Sequence, residues 1–378
     1  MSVKLLPIIP EKFLFTKEIQ LAESFTSKAR VMKLASIIIK KETELNFRKL
    51  MDIVRPDDSL VFLMQGSPDP DVIASAMALR EIIQQKKGLV KSVFVSTETL
   101  VRQQNKEFVS FMRLHIQLIN QVDLTLYRLI ALLDAQPSFL DDALTFVKPH
   151  IVLDHHPRNG NWHADMEDIR PGYGALSSIL TEYLLCARVK IPRNLHTALL
   201  YGIKSDTDNF DRATIIEDIR AYTYHTKHAN MQLIRRIELN QTPVRFLKYY
   251  DHAYRHMNSF RGRRLCYLGN VESADVCVQI ADFYLRLIGT YYVVVAGTVG
   301  DKFIIIFRGD GYRQDCGAIA QRAFELIGKG GGHRSAARIE VPLEALKEKL
   351  GGDLSQRNVD RFLFQSLRRD QKSDSTKH

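Results

Sequence analysis

Residues Ile151–Gly160 read IVLDHHPRNG. Three branched apolar residues lead into an acid, two imidazoles and a proline. An apolar run of this kind predicts a buried strand, and Pro157 marks where the chain must turn away. Asp154, His155 and His156 then fall at the carboxyl end of that strand, which is where open α/β sheets bind their ligands. Three consecutive groups able to hold a metal or move a proton make this the first candidate for chemistry.

The same texture extends on both sides. LVFLMQG from Leu60 predicts a strand, DVIASAMALREIIQQKK from Asp71 a helix and KSVFVST from Lys91 a strand. A helical segment follows, then RLIALLDA from Arg128 and the run that opens at Ile151, each ending in an acid. Strand–helix alternation predicts a parallel, doubly wound sheet. GALSSILTEYLLCARV from Gly174 and RNLHTALLYGIKSDTDNF from Arg193 continue the helical pattern, and Ile215 to about Arg255 reads as one long Gly-free helical connector. A second α/β unit starts at RRLCYLG from Arg263, with strands YYVVVAGTVG and KFIIIFRG around Gly300 and the helical stretch DCGAIAQRAFELIG after them. The expected boundaries are an N-terminal helical extension over 1–57, a parallel α/β domain over 58–230, a helical linker over 231–258, a smaller α/β domain over 259–352 and a C-terminal tail over 353–378, of which SLRRDQKSDSTKH from Ser366 is expected to be frayed and solvated. In the extension, Val31, Leu34, Ile38 and Ile39 stand near helical spacing and suit docking or oligomerisation.

Composition narrows the class. The chain has 378 residues, of which 45% are hydrophobic and 25% charged, as in globular proteins. No apolar run approaches the ~20 residues needed to span a bilayer, and the start MSVKLLPIIPEKF has no secretory-signal pattern. Cys186, Cys266, Cys277 and Cys316 are scattered, which predicts reduced thiols and a cytoplasmic protein with no membrane partner. A net charge of +10 permits an anionic partner such as a nucleotide, an oligonucleotide or polyphosphate.

Carboxylates recur at the ends of the expected elements: Asp69 and Asp71 in GSPDPDVIAS, Asp134 in IALLDAQP, Asp154 before its two histidines, and Asp206 and Asp208 in GIKSDTDNF. Parallel strands deliver their carboxyl ends to one rim, so these acids can converge across a long stretch of chain. Packed together they would raise one another's pKa values, a penalty that divalent cations remove. Carboxylate with imidazole suits Mn²⁺, Fe²⁺ or Zn²⁺. Two such ions ~3.5–4 Å apart can clamp a phosphate and steady its leaving oxygen. Singly, Asp69, Asp71, Asp134 and Asp206 read more commonly as turn or N-cap acids, and only jointly with the two histidines as a site; Asp208 is read as a turn residue. Trp162 and Tyr173, just past the double histidine, suit either base stacking or core packing.

From Leu60 to about Leu350 the chain resembles the DHH phosphoesterase family, named for the Asp-His-His of its third motif. PDPD at Pro68–Asp71 is similar to the first motif, Asp134 stands where the acid of the second would, and GIKSDTDNF is similar to the fourth, of the form G-I-x-x-D-T-x-x-F. GKGGGHRSAARIE, Gly328 to Glu340, resembles the Gly-Gly-Gly-His motif of the DHH-associated domain found in one branch. That branch includes nanoRNases, phosphatases of 3′-phosphoadenosine 5′-phosphate, cyclic-dinucleotide phosphodiesterases and RecJ-type exonucleases.

The resemblance implies that Asp134 bridges two Mn²⁺ ions, with Mg²⁺ or Co²⁺ as substitutes. Asp71, His155 and Asp206 would complete one ion and Asp69 would bind the other. His156 would contact the scissile phosphate or assist the leaving group, with Asp154 orienting an imidazole. Arg308, the backbone of Gly330, Gly331 and Gly332, and His333 would grip the substrate's terminal phosphate. The first motif normally carries a histidine three residues before its proline; Gln65 stands there. An amide oxygen is a weaker ligand than imidazole, so Gln65 marks either a loosened metal site or a nucleotide-binding regulator without turnover. The expected activity is Mn²⁺-dependent hydrolysis of short 5′-phosphorylated oligonucleotides or linear dinucleotides such as pGpG to mononucleotides. Alternatives are a 3′-phosphoadenosine 5′-phosphate phosphatase or a cyclic-dinucleotide phosphodiesterase, and the oligomer considered is a homodimer.

Overall fold

The structure is a computed structural model and describes residues 37, 39–88, 91–212, 214–239 and 242–374. The chain divides into two compact units, Met1–Asn240 and Gln241–His378.

The first unit is built on a six-stranded sheet in the order β3-β2-β1-β4-β5-β6. Its strands are β1 (Ser59–Met64), β2 (Lys91–Ser96), β3 (Ile116–Leu118), β4 (Leu129–Leu133), β5 (Ile151–Asp154) and β6 (Met166–Ile169). Every pairing is parallel. The unbroken apolar runs of the sequence are explained by burial of both faces. Leu60, Phe62 and Met64 of β1 join one apolar cluster, and the alternate residues Val61 and Leu63 join another on the opposite face. Helices Pro70–Lys87, Leu176–Ala187 and Arg193–Asp206 supply the first cluster, and short 3₁₀ turns and loops bearing Phe139, Leu140 and Trp162 cover the second. Each fully buried Leu, Ile or Phe contributes about 1.5–3 kcal/mol, so the two faces together anchor the strand ends. The strand order reverses between β1 and β4, which is the switch point at which such sheets open a crevice.

The second unit carries a mixed sheet in the order β11-β12-β10-β9-β8-β7. Its strands are β7 (Asn258–Phe260), β8 (Arg263–Asn270), β9 (Tyr292–Val299), β10 (Lys302–Gly309), β11 (Lys329–Gly332) and β12 (Ala336–Pro342). Only β8 and β9 run parallel, and helix Ala274–Leu285 lies between them in the chain. Again the faces alternate: Phe303, Ile305 and Phe307 of β10 pack on one side, Ile304 and Ile306 on the other.

Three expectations change. The connector from Ile215 is not one helix but Ile216–Thr226, Met231–Leu239, a 3₁₀ turn Val244–Phe246 and Leu247–His256. Pro243 accounts for one break, and the expected linker over 231–258 is shared: Ile234 and Ile237 are buried in the first unit, Phe246, Tyr249 and Ala253 in the second. The stretch from Ser366, expected to be frayed, continues helix Gln356–Asp374, which before that point buries Val359, Phe362 and Leu363 against the second sheet. Of the N-terminal extension, helix Lys41–Ile53 is seen, burying Thr43, Asn46 and Leu50; Val31, Leu34 and Ile38 lie outside the described residues. Among the described residues no helix is long and apolar enough to cross a membrane.

Candidate metal centre

Of the acids flagged in the sequence, Asp134 and Asp154 stand at strand ends, Asp69 and Asp71 at the start of the helix after β1, and Asp206 at the end of a helix. Asp69 follows β1 and caps helix Pro70–Lys87, its Oδ1 accepting from the Asp71 and Val72 N–H groups at 2.9 and 3.1 Å. Asp71 is fully buried and serves a second helix: its two oxygens accept from the N–H groups of Leu176 and Ser177 at 2.7 and 2.8 Å. The N-cap of helix Leu176–Ala187 is Ala175, which has no side chain to offer, so Asp71 satisfies those orphan donors from 105 residues away. Helix Arg193–Asp206 also comes close, and this explains Gly202, where a Cβ would lie 2.5 Å from Ser177 Oγ and 3.1 Å from the Asp71 Cα.

Asp134 is the first residue past β4 and takes a left-handed φ of 54° while its N–H still donates to Leu153 O at 2.9 Å. That backbone costs a non-glycine residue about 1–2 kcal/mol, and strain of this kind tends to sit at functional positions. Asp206 closes helix Arg193–Asp206, so its carboxylate lies at the negative end of the helix dipole, where a cation is favoured.

His155 joins these groups. Its Nδ1 faces Tyr173 O at 2.9 Å and so carries the proton of that hydrogen bond, which leaves Nε2 as the ligand atom. Nε2 lies 3.2 Å from Asp134 Oδ1 and 3.1 Å from Asp206 Oδ2. All three atoms are buried and none makes a hydrogen bond of acceptable geometry. Burial opposes a charged His155 ring, but Asp134 and Asp206 outweigh it and push its pKa up to about 12. Burial, then the charges of Asp134 and Asp206, raises Asp69 to about 7. Asp71 goes well above the usual carboxylate range, from burial first and Asp206 next. Burial raises Asp134 as well, against the pull of His155.

Asp154 behaves differently. Burial alone would raise its carboxyl, but hydrogen bonds from His156 and Gln136 hold it below the usual range. Its Oδ1 accepts from both the backbone N–H and the Nδ1 of His156, at 3.1 and 2.8 Å. The hydrogen bond to Asp154, against burial, raises the His156 pKa. Half of the His156 ring remains exposed.

Two overlapping groups have the spacing of a cation site: Asp134, His155 and His156, and Asp71, His155 and Asp206, with the ligand atoms of each within 4.8 Å of one another. Each can hold a metal ion: without one the His155 ring holds a proton against Asp134 and Asp206, and a divalent cation that suits carboxylate and imidazole together would take that proton's place. Gln65 Oε1 accepts from Thr97 Oγ1 at 3.3 Å. Asp208 lies in the turn after the helix with φ 49°. Tyr173 is buried with its phenol donating to Glu182, which makes it core rather than a stacking platform. Trp162 donates to Asn159 O at 2.8 Å under the Arg158 guanidinium, and so closes its own loop. Sequence reasoning missed Gln136, the Tyr173 carbonyl and the Leu176 and Ser177 amides, because a backbone group or an amide carries no motif.

In the second unit, Arg308 at the end of β10 donates to Asp282 Oδ1 at 2.7 Å and to Phe307 O at 3.0 Å. Gly330, Gly331 and Gly332 form edge strand β11 rather than a loop. A Cβ on Gly330 would fall 2.1 Å from Arg338 O, and one on Gly332 would fall 2.2 Å from Ala336 O, so close approach to β12 already requires both glycines. Gly331 has open space, and His333 is exposed just past the strand.

Against known proteins, no protein-family model matches the chain. An uncharacterized protein of Methanocaldococcus jannaschii is 31% identical over 327 residues, 85% of this chain; the chain spans 65% of that relative's length. An exopolyphosphatase-related protein from Bacteroides fragilis has a similar structure, with a TM-score of 0.67 at 16% identity, covering 88% of this chain and 98% of its own. RecJ from Thermus thermophilus, in complex with Mn²⁺, matches at a TM-score of 0.48 and 11% identity over 88% of this chain and 56% of its own. The likeness to the exopolyphosphatase-related protein establishes the α/β fold.

Proposed function

We propose that the chain is a metal-dependent phosphoesterase that hydrolyses short 5′-phosphorylated oligonucleotides or linear dinucleotides such as pGpG to mononucleotides, with Mn²⁺ as its ion. One observation carries the reading: Asp134 Oδ1, His155 Nε2 and Asp206 Oδ2 converge at 3.1–3.2 Å, buried and without hydrogen bonds. The resemblance to the DHH phosphoesterases through PDPD, Asp134, Asp154-His155-His156 and GIKSDTDNF supports it.

Asp134, His155, Asp206 and Asp71 would hold the cation, with Asp69 beside them. A divalent ion bound there supplies charge neutralisation and Lewis-acid polarisation of a phosphoryl group. The protein's own part follows from its geometry. Tyr173 O holds the His155 ring in the tautomer that frees Nε2. Asp154 holds His156 through Nδ1, so the Nε2 edge of the half-exposed ring is free to bind a phosphate oxygen or give a proton to the leaving oxygen.

The test is a time course with pGpG and Mn²⁺, products resolved by chromatography, with Asp154→Ala and His155→Ala as controls. Guanosine monophosphate formed by the unmutated protein alone is the expected result; an intact substrate sinks the choice. The fold shared with the exopolyphosphatase-related protein favours a second substrate, inorganic polyphosphate, to be run in parallel.

A further inference from the structure

Gln136 stands two residues beyond Asp134 and is fully buried. Its carbonyl opens the 3₁₀ turn Pro137–Phe139 by accepting from Phe139 N at 2.8 Å, and the Phe139 ring meets the His156 ring edge-on at 6.2 Å. The side-chain amide reaches across to the loop after β5. Nε2 donates to Asp154 Oδ2 at 2.8 Å and to Pro157 O at 3.0 Å, with His156 O at 3.4 Å. Oε1 accepts from Asn159 N at 2.8 Å.

This arrangement is directional. Three oxygens face the NH₂ and one donor faces the carbonyl, so a reversed amide would set oxygen against oxygen at three contacts. Asp154 is fully buried, and its hydrogen bonds come from Gln136 and from the backbone and ring of His156. Gln136 is therefore the part of that set which does not belong to the loop it holds. Its loss would free Asp154 to rotate and would leave buried acceptors unsatisfied.

We propose that Gln136 is a positioning residue: by fixing the Asp154 carboxylate and the Pro157–Asn159 backbone, it sets the tautomer and direction of the His156 ring and presents its Nε2 edge to the substrate. The geometric part of this proposal stands on its own, and only its consequence for turnover rests on the phosphoesterase reading.

The experiment uses the full chain labelled with ¹⁵N-histidine in chelator at fixed pH, with His156 assigned by its loss in His156→Gln. Two variants separate orientation from packing. Gln136→Glu keeps the shape but turns a carboxylate toward three acceptors, and Gln136→Met keeps the volume without hydrogen bonds. In both, the His156 ring signals should move or broaden while those of buried His196 and His225 stay in place. On pGpG with Mn²⁺, kcat should fall roughly 10–100-fold, the range for groups that orient catalytic side chains, with Mn²⁺ affinity less affected. A packing role would leave Gln136→Glu indistinguishable from the unmutated protein, and unchanged His156 signals in both folded variants would overturn the proposal. Should one variant fail to give a native circular-dichroism spectrum, the other decides. Should the unmutated chain hydrolyse nothing, the phosphoesterase reading falls and the ring spectra still decide the role of Gln136.

Discussion

Two buried charge clusters occupy neighbouring parts of the first unit and are built on opposite plans. Around Arg170, the guanidinium donates to both oxygens of Asp168 at 2.7 and 2.6 Å and to Glu182 Oε2 at 3.2 Å. Thr43 and Tyr173 complete Glu182, and Tyr183 donates to Asp168 at 2.5 Å. None of the side-chain atoms of Asp168, Arg170 and Glu182 is left buried without a partner. Around Asp134 the balance is reversed: Asp69, Asp71, Asp134 and Asp206 cluster about the His155 imidazole, with only the half-exposed His156 at 3.8 Å from Asp134 and the exposed Arg212 at 3.7 Å from Asp206 besides, and three buried atoms make no hydrogen bond. Burial of charge is common to both; only the second leaves a charge imbalance for something else to fill. A paired buried cluster holds a fold together, whereas an unpaired one holds a place for a ligand.

Removing a charge should therefore have opposite consequences at the two places. Arg170→Met, which strands Asp168 and Glu182, should lower stability by about 3–5 kcal/mol in urea denaturation. A smaller loss than at an ordinary surface arginine would break the comparison. Asp134→Asn should reduce pGpG hydrolysis on the order of 10²–10³-fold, yet leave the metal-free melting temperature unchanged or raise it by a few degrees, because it relieves repulsion. A drop in melting temperature would mean that Asp134 is a structural partner after all.

Cation linkage sharpens the same contrast. At a hundred times its Kd, Mn²⁺ should stabilise the unmutated chain by about 2.7 kcal/mol. That gain should vanish with chelator and in Asp134→Asn, while Thr43→Val keeps it; calorimetry with and without ion reads both.

A third buried group tests pH. Thr181 Oγ1 donates to Ser177 O and so accepts from His225 Nε2, and His225 Nδ1 then accepts from His196 Nδ1 at 2.8 Å. Both rings are neutral; burial first, then neighbouring histidines, lowers His196 to about 4 and His225 to about 3. Their folded-state pKa values lie below the unfolded one, so the unfolded chain binds more protons on acidification. Stability is present above about pH 6.5 and should fall as pH drops from there through about 4, by roughly 3 kcal/mol for each ring. His225→Gln should flatten that slope in denaturation curves taken between those pH values. The smallest effect is expected from Thr43→Val, about 1.5 kcal/mol, the worth of one hydrogen bond to a charged carboxylate. Rescue by Thr43→Ser would assign it to the hydroxyl.

The parallel sheet was legible because runs such as LVFLM and IVL are too uniformly apolar for a half-exposed strand; Asp134 and Asp154 stand out because each ends such a run, whereas Asp69 and Asp71 at a helix start and Asp206 at a helix end read singly as caps or turns. The glycines of GKGGG were visible, but not that they form an edge strand, since that depends on how closely Arg338 O and Ala336 O approach. The helical connector from Ile215 kept its helical character and lost its continuity. In the C-terminal tail Val359, Phe362 and Leu363 carry no strong signal among their polar neighbours, because they form a buried face only when wound as a helix.

By itself the sequence determined the α/β class, the two units and the residue types at the rim, since periodicity and local chemistry are carried by neighbours in the chain. Tertiary structure alone decided that Asp71 caps a helix 105 residues away, that Thr43 completes Glu182 at a separation of 139, and that Gln136 holds Asp154. Those contacts join residues with no shared pattern. They exist because buried donors and acceptors must find partners wherever the packed chain brings them.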